Sequence, residues 1–234
     1  SDLWIREAAA KDMLVSLAMP NCFNHAVTEL KYVDMIRIDD DCYEGDWNFV
    51  SDRKRGVKKD DWPQFGNAFD GFVAFADIRG KGKMILDGDF MRMHKLKSDD
   101  ERRFLFSLMV MGGSALTIAD QYNTIGGNGW VYQNTELNSL NDSGFIARPL
   151  SNDYKDSNSS RWIGQTPSGS WIVGLFNRET TPQIRTIDLQ KELGMKGGRA
   201  GNIRDLWLHN DLGAFSGIYS VTLRPHECRI LRIE

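Results

Sequence analysis

The sequence predicts an α/β part followed by an all-β part, and three observations support this. Up to about residue 148, short apolar runs alternate with helical segments, which is typical of parallel strands joined by right-handed crossovers. Beyond that point, short strands follow one another with turn residues between them and without helical periodicity. A polar stretch at residues 151–160 (SNDYKDSNSS) is predicted to link the two parts.

The first part is predicted to hold four strand-then-helix units after an opening helical segment. Ser98 and Glu101 have the spacing of a capping box at the start of its longest helix. Four units do not close an eight-stranded barrel, which needs roughly 250 residues, so this part requires further sequence or a smaller fold. The predicted elements are a helix near 3–13, strand 14–19, helix 25–30, strand 33–38, helix 69–78, strand 83–86, helix 98–111, strand 115–119 and helix 135–140.

The second part is predicted to be an antiparallel β-sandwich. Its clearest alternation places Tyr219, Val221 and Leu223 on one face of a strand and Ser220 and Thr222 on the other. Several short strands separated by turns and without helices favour a sandwich. The predicted strands are 162–164, 171–177, 184–189, 200–205, 217–223 and 227–233.

Composition and charge give no reason to expect nucleic acid or a membrane as a partner of this chain. The chain has 234 residues, of which 41% are hydrophobic and 26% charged, as in a globular protein. A net charge of −3 gives no reason to expect nucleic acid or an anionic membrane as a partner, and no apolar run approaches the roughly 20 residues of a membrane span. The chain opens without Met on a helical pattern, so we expect upstream sequence. The pattern leaves open the oligomeric state and whether Cys22 and Cys42 are bonded.

Acidic residues follow three of the predicted parallel strands. Side chains alternate along a strand, so Arg37, Asp39 and Asp41 share a face if the strand continues to Asp41. By the same rule Asp87 and Asp89 share a face at the end of the next acidic strand. The last predicted strand of this part ends in Asp120. Because barrel chemistry lies at the carboxyl ends of the strands, this pattern favours general acid/base chemistry on a sugar, or metal binding. Taken alone, an Asp-Asp-Asp run is typical of a solvated turn.

These motifs resemble glycoside hydrolase family 27, the family of α-galactosidases and α-N-acetylgalactosaminidases. The resemblance implies the second half of a (β/α)8 TIM barrel at residues 1–148, followed by an antiparallel β-sandwich at residues 149–234. The motifs that carry it, in order, are Arg37-Ile-Asp-Asp-Asp41 with Trp47 after it, Leu86-Asp-Gly-Asp-Phe90, residues 104–120, Trp171–Arg178, Arg204–Gly213 and Leu223–Cys228.

The resemblance also implies roles for individual residues in a retaining exo-α-glycosidase. Asp41 would be the acid/base and Arg37 would contact the substrate, with Asp87, Asp89 and Trp47 as further substrate-binding residues. The family's nucleophile lies in a strand upstream of this chain, so a missing N-terminal half of the barrel is the expected partner.

The sugar itself is left open by one departure from the family. Ala18, in Ser16-Leu-Ala-Met-Pro20, replaces the Glu or Ser that contacts the sugar's 2-substituent. The expected substrate is therefore an oligosaccharide or glycoconjugate with a terminal α-linked sugar. No cofactor is implied, and a secreted or periplasmic protein is expected.

Two alternatives remain at this point. The missing nucleophile and Ala18 also fit a non-catalytic carbohydrate-binding relative, whereas Asp41, Asp87 and Asp89 also fit a metal-dependent barrel hydrolase. Trp47 and Trp62 could stack on sugar or pack in the core. The four histidines are predicted to be structural or surface residues.

Overall fold

A computed structural model describes residues 2–10, 12–18, 26–42, 44–52, 57–58, 64–80, 83–195 and 200–234. Its first part contains helices and strands, as the sequence predicts, but they do not alternate strictly, because two strands follow one another within 57–65 and within 85–91 and two helices within 129–142. The elements in chain order are α1 (Asp2–Ala8), β1 (Ser16–Leu17), α2 (Glu29–Tyr32), β2 (Met35–Arg37), α3 (Trp47–Ser51), β3 (Val57–Lys58), β4 (Gln64–Phe65), α4 (Ala68–Ala74), β5 (Ile85–Asp87), β6 (Phe90–Met91), α5 (Asp99–Gly112), β7 (Thr117–Ile118), α6 (Gly129–Tyr132) and α7 (Thr135–Asp142).

The strands that carry the acidic motifs pair in parallel. β1, β2 and β5 form one sheet in that order, with Met35 opposite Ser16 on one side and Ile85 on the other. Two residues separate the end of β5 from the start of β6, and β6 pairs in parallel with β7. Since parallel neighbours end at the same edge, the residues after β2 and β5 are brought together. The described residues contain sheets but no closed barrel.

α5 begins at a side-chain cap and ends at a glycine in the left-handed conformation. The Ser98 hydroxyl oxygen accepts a hydrogen bond from the Glu101 amide at 3.1 Å, which caps the first turn. Glu101 bonds back to the Lys97 amide at 2.6 Å rather than to Ser98, so half of the predicted capping box is displaced by one residue. The helix stops at Gly113, whose φ of +67° is in the left-handed region that favours glycine.

The second part is antiparallel, as predicted. A six-stranded sheet and a two-stranded sheet, β11 with β14, face each other across a core that includes Val173, Ile187 and Leu231. The six-stranded sheet has the order β13-β12-β15-β10-β9-β8. The strands are β8 (Arg148–Pro149), β9 (Arg161–Gln165), β10 (Trp171–Phe176), β11 (Gln183–Asp188), β12 (Gly201–Asp205), β13 (Asn210–Phe215), β14 (Ile218–Leu223) and β15 (Cys228–Ile233).

Three features of the second part differ from the sequence prediction, of which the first is that β8 was not predicted. β13 was not predicted, because it is a hairpin partner of β12 whose residues are mostly exposed and show no apolar alternation. The stretch at 151–160 is not an open linker, since its end forms a 3-10 helix in which Ser159 and Ser160 are buried. The Ser159 carbonyl accepts a hydrogen bond from the Trp162 indole at 2.7 Å, which fixes this segment to β9.

The two parts share a hydrophobic core. Phe69 of α4 and Phe104 of α5 pack against Trp162 and Phe176 of the six-stranded sheet. A buried ion pair crosses the same junction, because Arg178 lies 2.7 Å from Asp70 and both side chains are 1% exposed. The sheet therefore supports the helices that in turn support β2 and β5. None of the helices in the described ranges has the length and apolar character needed to cross a membrane.

Candidate active site

Arg37, the last residue of β2, joins three chain segments at the carboxyl edge of the parallel strands. Its Nη2 lies 2.6 Å from Oδ1 of Asp41, and its Nη1 lies 2.9 Å from Oδ2 of Asp89. Its Nε donates to the backbone carbonyl of Ala18 at 3.2 Å. The planar guanidinium can hold two carboxylates at once because its donors form a rigid fork. The pKa of Arg37 is raised because Asp89 and Asp41 together outweigh the effect of its burial.

The turn after β5 aims Asp89 at Arg37. Asp89 has a φ of +64°, and its Oδ2 also accepts a hydrogen bond from the Cys42 amide at 2.8 Å. A side chain at Gly88 would lie within 2.7 Å of Phe72, so only glycine fits at the centre of the turn. The Asp89 amide in turn donates to Asp87 Oδ1 at 2.9 Å. Burial raises the pKa of the Asp87 carboxyl.

Asp41 is the most solvent-open carboxylate of the group. Its side chain is 50% exposed, whereas the Asp89 side chain is 11% exposed. A general acid must be able to reach the leaving oxygen, and the exposure of Asp41 allows this, while Arg37 fixes the orientation of its carboxylate. The structure brings together Arg37, Asp41 and Asp89, but not by shared strand faces: β2 ends at Arg37 and β5 at Asp87, so Asp41 and Asp89 are placed by the turns that follow the strands.

Asp39 lies beneath this group and was not chosen as a site residue from the sequence. It is 1% exposed, and neither of its carboxylate oxygens has a hydrogen-bond partner among the described residues. Burial first, and then the charges of Asp89 and Asp87, raise its pKa well above the usual range of an aspartate. The strand-face alternation of Arg37, Asp39 and Asp41 contained the signal that could have found it.

Trp47 lies apart from the group around Arg37, whereas Ala18 contacts Arg37 through its backbone. Trp47 begins α3, and its ring stacks on His226 at 4.0 Å between centroids and meets Phe104 edge-on at 4.9 Å. It lines a cavity of about 400 Å³ at the junction with the sandwich, together with residues that include Asp52 and Arg178. Its role in sugar binding stays a prediction. Ala18 contributes its backbone carbonyl to Arg37, and its predicted contact with the sugar is likewise untested.

Several predicted features lie outside the described residues. They are the segment Met19-Pro20 of the motif around Ala18, Cys22, His25 and Trp62, so the question of a bond between Cys22 and Cys42 stays open. Asp120, the third strand-end carboxylate, is described and bonds to His94 and Tyr132 rather than to Arg37. Sequence reasoning assigned His94 no role in a site.

Comparison with known proteins finds a matching domain family and a similar curated protein. Residues 156–233 match the alpha galactosidase C-terminal beta sandwich domain. The chain is 44% identical over 238 residues to isomalto-dextranase from Arthrobacter globiformis, an alignment that covers 98% of this chain and 36% of the relative. The chain therefore spans about a third of the length of that curated relative.

Solved structures agree with the sequence comparison. The isomalto-dextranase of Arthrobacter globiformis T6, solved in complex with panose, superposes with a TM-score of 0.90 at 43% identity, over 99% of this chain and 40% of that one. A family 27 β-L-arabinopyranosidase from Geobacillus stearothermophilus has a TM-score of 0.76 at 20% identity, over 100% of this chain and 53% of that one, which shows a shared fold. The predicted resemblance to glycoside hydrolase family 27 is confirmed.

Proposed function

We propose that this chain carries the acid/base half of the active site of a retaining exo-α-glycosidase. The observation that carries the proposal is the fixed group at the carboxyl edge of β2 and β5, where Arg37 holds the half-exposed Asp41 and the buried Asp89. The similarity to isomalto-dextranase over 98% of the chain supports a glycosidase assignment.

In the proposed reaction Asp41 gives up a proton in the first step and takes one back in the second. A carboxylate on the sequence that precedes this chain attacks the anomeric carbon, while Asp41 donates its proton to the departing glycosidic oxygen. Water then attacks the glycosyl–enzyme ester, and Asp41 takes the water proton as the sugar leaves. Retention needs the two carboxyl groups about 5–5.5 Å apart on opposite sides of the anomeric carbon. Arg37 orients Asp41 and is positioned to contact a sugar hydroxyl.

The proposed substrate is an oligosaccharide or polymer of the isomalto-dextran class. The curated relative named isomalto-dextranase is 44% identical to this chain, and the solved relative was complexed with panose. The family 27 structures at 20% identity or below inform the fold alone, so they do not favour galactose. A substrate of polymer size would also be met outside the cell, which supports the proposal that the whole protein is secreted or periplasmic.

The proposed partner of this half-site is the preceding part of the same protein. Among the described residues, no strand covers the outer edge of β1. The apolar side chains of Trp4 and Leu14, which precede β1 in the sequence, are 76% and 77% exposed. Unpaired strand edges and exposed apolar residues are unfavourable in water. We propose that the nucleophile-bearing half of a (β/α)8 barrel covers them.

The two alternative functions receive less support. A metal-dependent hydrolase would need carboxylates arranged around a cation, but Arg37 already provides the positive charge between Asp41 and Asp89. No group of three His, Cys, Asp or Glu side chains in the described ranges has an arrangement that could hold a metal ion. A binding-only relative has no need for an exposed carboxyl fixed by a guanidinium, and the substitution test below separates it from an enzyme.

The test is Asp41→Asn in the full-length protein, with hydrolysis of panose and dextran as the readout. We expect a fall in kcat of roughly 10²- to 10⁴-fold, because the amide keeps the shape of the side chain but has no proton to donate. The matched control is Asp99→Asn, which removes another exposed carboxylate paired with an arginine, Arg102, at 2.9 Å. Equal activity of Asp41→Asn and the control would contradict the acid/base role. A wild-type protein that binds panose without cleaving it would favour the binding-only alternative.

A further inference from the structure

Asp120 organises a second polar group at the carboxyl end of β7. Its carboxylate accepts hydrogen bonds from the Met93 amide at 2.8 Å, from the Tyr132 hydroxyl at 2.6 Å and from His94 Nδ1 at 2.5 Å. The Asp120 side chain is 0% exposed. Burial alone would raise the pKa of Asp120, but the bonds from His94 and Tyr132 outweigh it and the pKa is lowered. Asp120 is therefore a buried, ionised acceptor.

This arrangement fixes the orientation of the His94 ring. The Asp120 carboxylate accepts from His94 Nδ1, so Nδ1 carries a proton, and Nε2 is the ring nitrogen that Asp120 does not engage. Nε2 has no hydrogen-bond partner among the described residues, and the His94 side chain is 22% exposed. A ring locked from one side and open on the other is suited to bind a ligand hydroxyl.

His94 lies on a chain segment close in sequence to the proposed acid/base group. It follows Asp89 by five residues. Strand β6, which pairs in parallel with β7, lies between the two. The segment after Asp41 packs against the same stretch, because a side chain at Gly45 would come within 2.9 Å of Arg92 Cβ. Asp41, Asp89 and His94 thus belong to neighbouring segments at one edge of the strands.

We propose that His94 is a saccharide-binding residue whose Nε2 binds a hydroxyl group of the substrate, with Asp120 as its positioning residue. The inference rests on the proposed function, which it deepens by naming a specificity contact beyond Arg37 and Asp41. The competing explanation is purely structural, namely that His94 only ties the end of β6 to the end of β7 through Asp120.

Two substitutions of His94 separate these explanations. The side-chain amide of Asn can take the place of Nδ1 and keep the bond to Asp120, but it does not reach the position of Nε2. The longer amide of Gln reaches the position of Nε2 and gives up the place of Nδ1. If the role of His94 is structural, the Asn variant should behave more like the parent. If His94 binds substrate, the Gln variant should bind more tightly than the Asn variant.

The experiment measures panose binding by calorimetry to the full-length protein that carries Asp41→Asn, so that binding is read without turnover. We expect His94→Asn to raise Kd by about 10-fold, in line with the loss of one hydrogen bond, and His94→Gln to bind at least about 5-fold more tightly than His94→Asn. The controls are His209→Asn and His209→Gln, since His209 bonds to Glu136 through Nδ1 at 2.7 Å in the second part. Both controls should bind panose as the parent does.

Each result decides the matter. A Gln variant that binds no more tightly than the Asn variant overturns the inference. A parent that binds no panose overturns the proposed substrate class, and the inference with it. A wild-type protein that binds panose but hydrolyses no α-glucoside overturns the catalytic proposal and leaves the His94 contact to be judged from the same Kd series. Thermal melts of each variant confirm that binding is compared between folded proteins.

Discussion

Arg37 and Asp89 form a largely buried ion pair of 2.9 Å between the ends of two neighbouring parallel strands, and both side chains are 11% exposed. Because the same guanidinium holds Asp41 at 2.6 Å, the orientation of the exposed carboxylate depends on the buried one. Asp89 is itself fixed by the Cys42 amide and by the turn at Gly88. The acid/base group is therefore positioned by a chain of contacts that ends in the core.

Arg37→Lys should reduce kcat/KM on panose by roughly 10- to 100-fold in the full-length protein. A lysine ammonium lacks the rigid fork that holds two carboxylates at once, so Asp41 would lose its fixed orientation. The matched control is Arg204→Lys, because Arg204 also bridges two carboxylates, Glu136 and Asp211, each at 3.0 Å. A loss that is equal in the two variants would contradict a specific role for Arg37.

Asp41→Asn should be far more damaging on panose than on an aryl α-glucoside with a good leaving group. An activated phenolate departs with little protonation, so the first step loses roughly 10-fold or less, whereas the unactivated sugar loses roughly 10²- to 10⁴-fold. The measurement is kcat/KM for each substrate, because kcat/KM reports the first step, whereas the second step needs Asp41 with either substrate. Equal losses on the two substrates would indicate that Asp41 acts in some other way than as a proton donor.

Asp39→Asn should stabilise the protein at neutral pH but not at acidic pH. The folded-state pKa of Asp39 is raised by burial and by Asp89 and Asp87, so the folded protein holds this proton after the unfolded chain has lost it. Its contribution to stability is therefore complete below the unfolded value, about 3.9, and is lost as the pH rises through the folded value. We expect thermal unfolding to shift upward by about 2–4 °C at pH 7 and to be unchanged near pH 3.5. A lower melting temperature at pH 7 would show that the charged form of Asp39 is stabilising.

Arg178→Met should lower the free energy of unfolding by about 3–5 kcal/mol. It removes one partner of a buried pair and leaves Asp70 without its ion-pair partner at the junction of the two parts. Arg224→Met is the control, since Arg224 is 65% exposed and pairs with Asp100 at 2.8 Å, and it should cost less than about 1 kcal/mol. In the double variant Asp70→Asn with Arg178→Met, part of the loss should be recovered. Chemical denaturation measures all three, and similar losses for Arg178 and Arg224 would argue against a buried pair.

The sequence by itself determined the class of each part and the residues at the strand ends. Strands alternate their side chains with a period of two, and helices repeat every 3.6 residues, so one-sided burial leaves a pattern that can be recognised locally. That pattern predicted the parallel strands and the antiparallel second part. The predicted shared strand face of Arg37 and Asp41 is wrong, because β2 ends at Arg37. It missed β13, because an exposed hairpin strand buries too little apolar surface to leave a pattern.

The tertiary structure alone decided which distant side chains meet. It stacked Trp47 on His226, buried Arg178 against Asp70 and paired His94 with Asp120. None of these contacts has a local signature, because each depends on how a helix or loop of one segment is packed against another far along the chain. Local periodicity reports which face of an element is buried, whereas the partner buried against that face is set by the packing of the whole core.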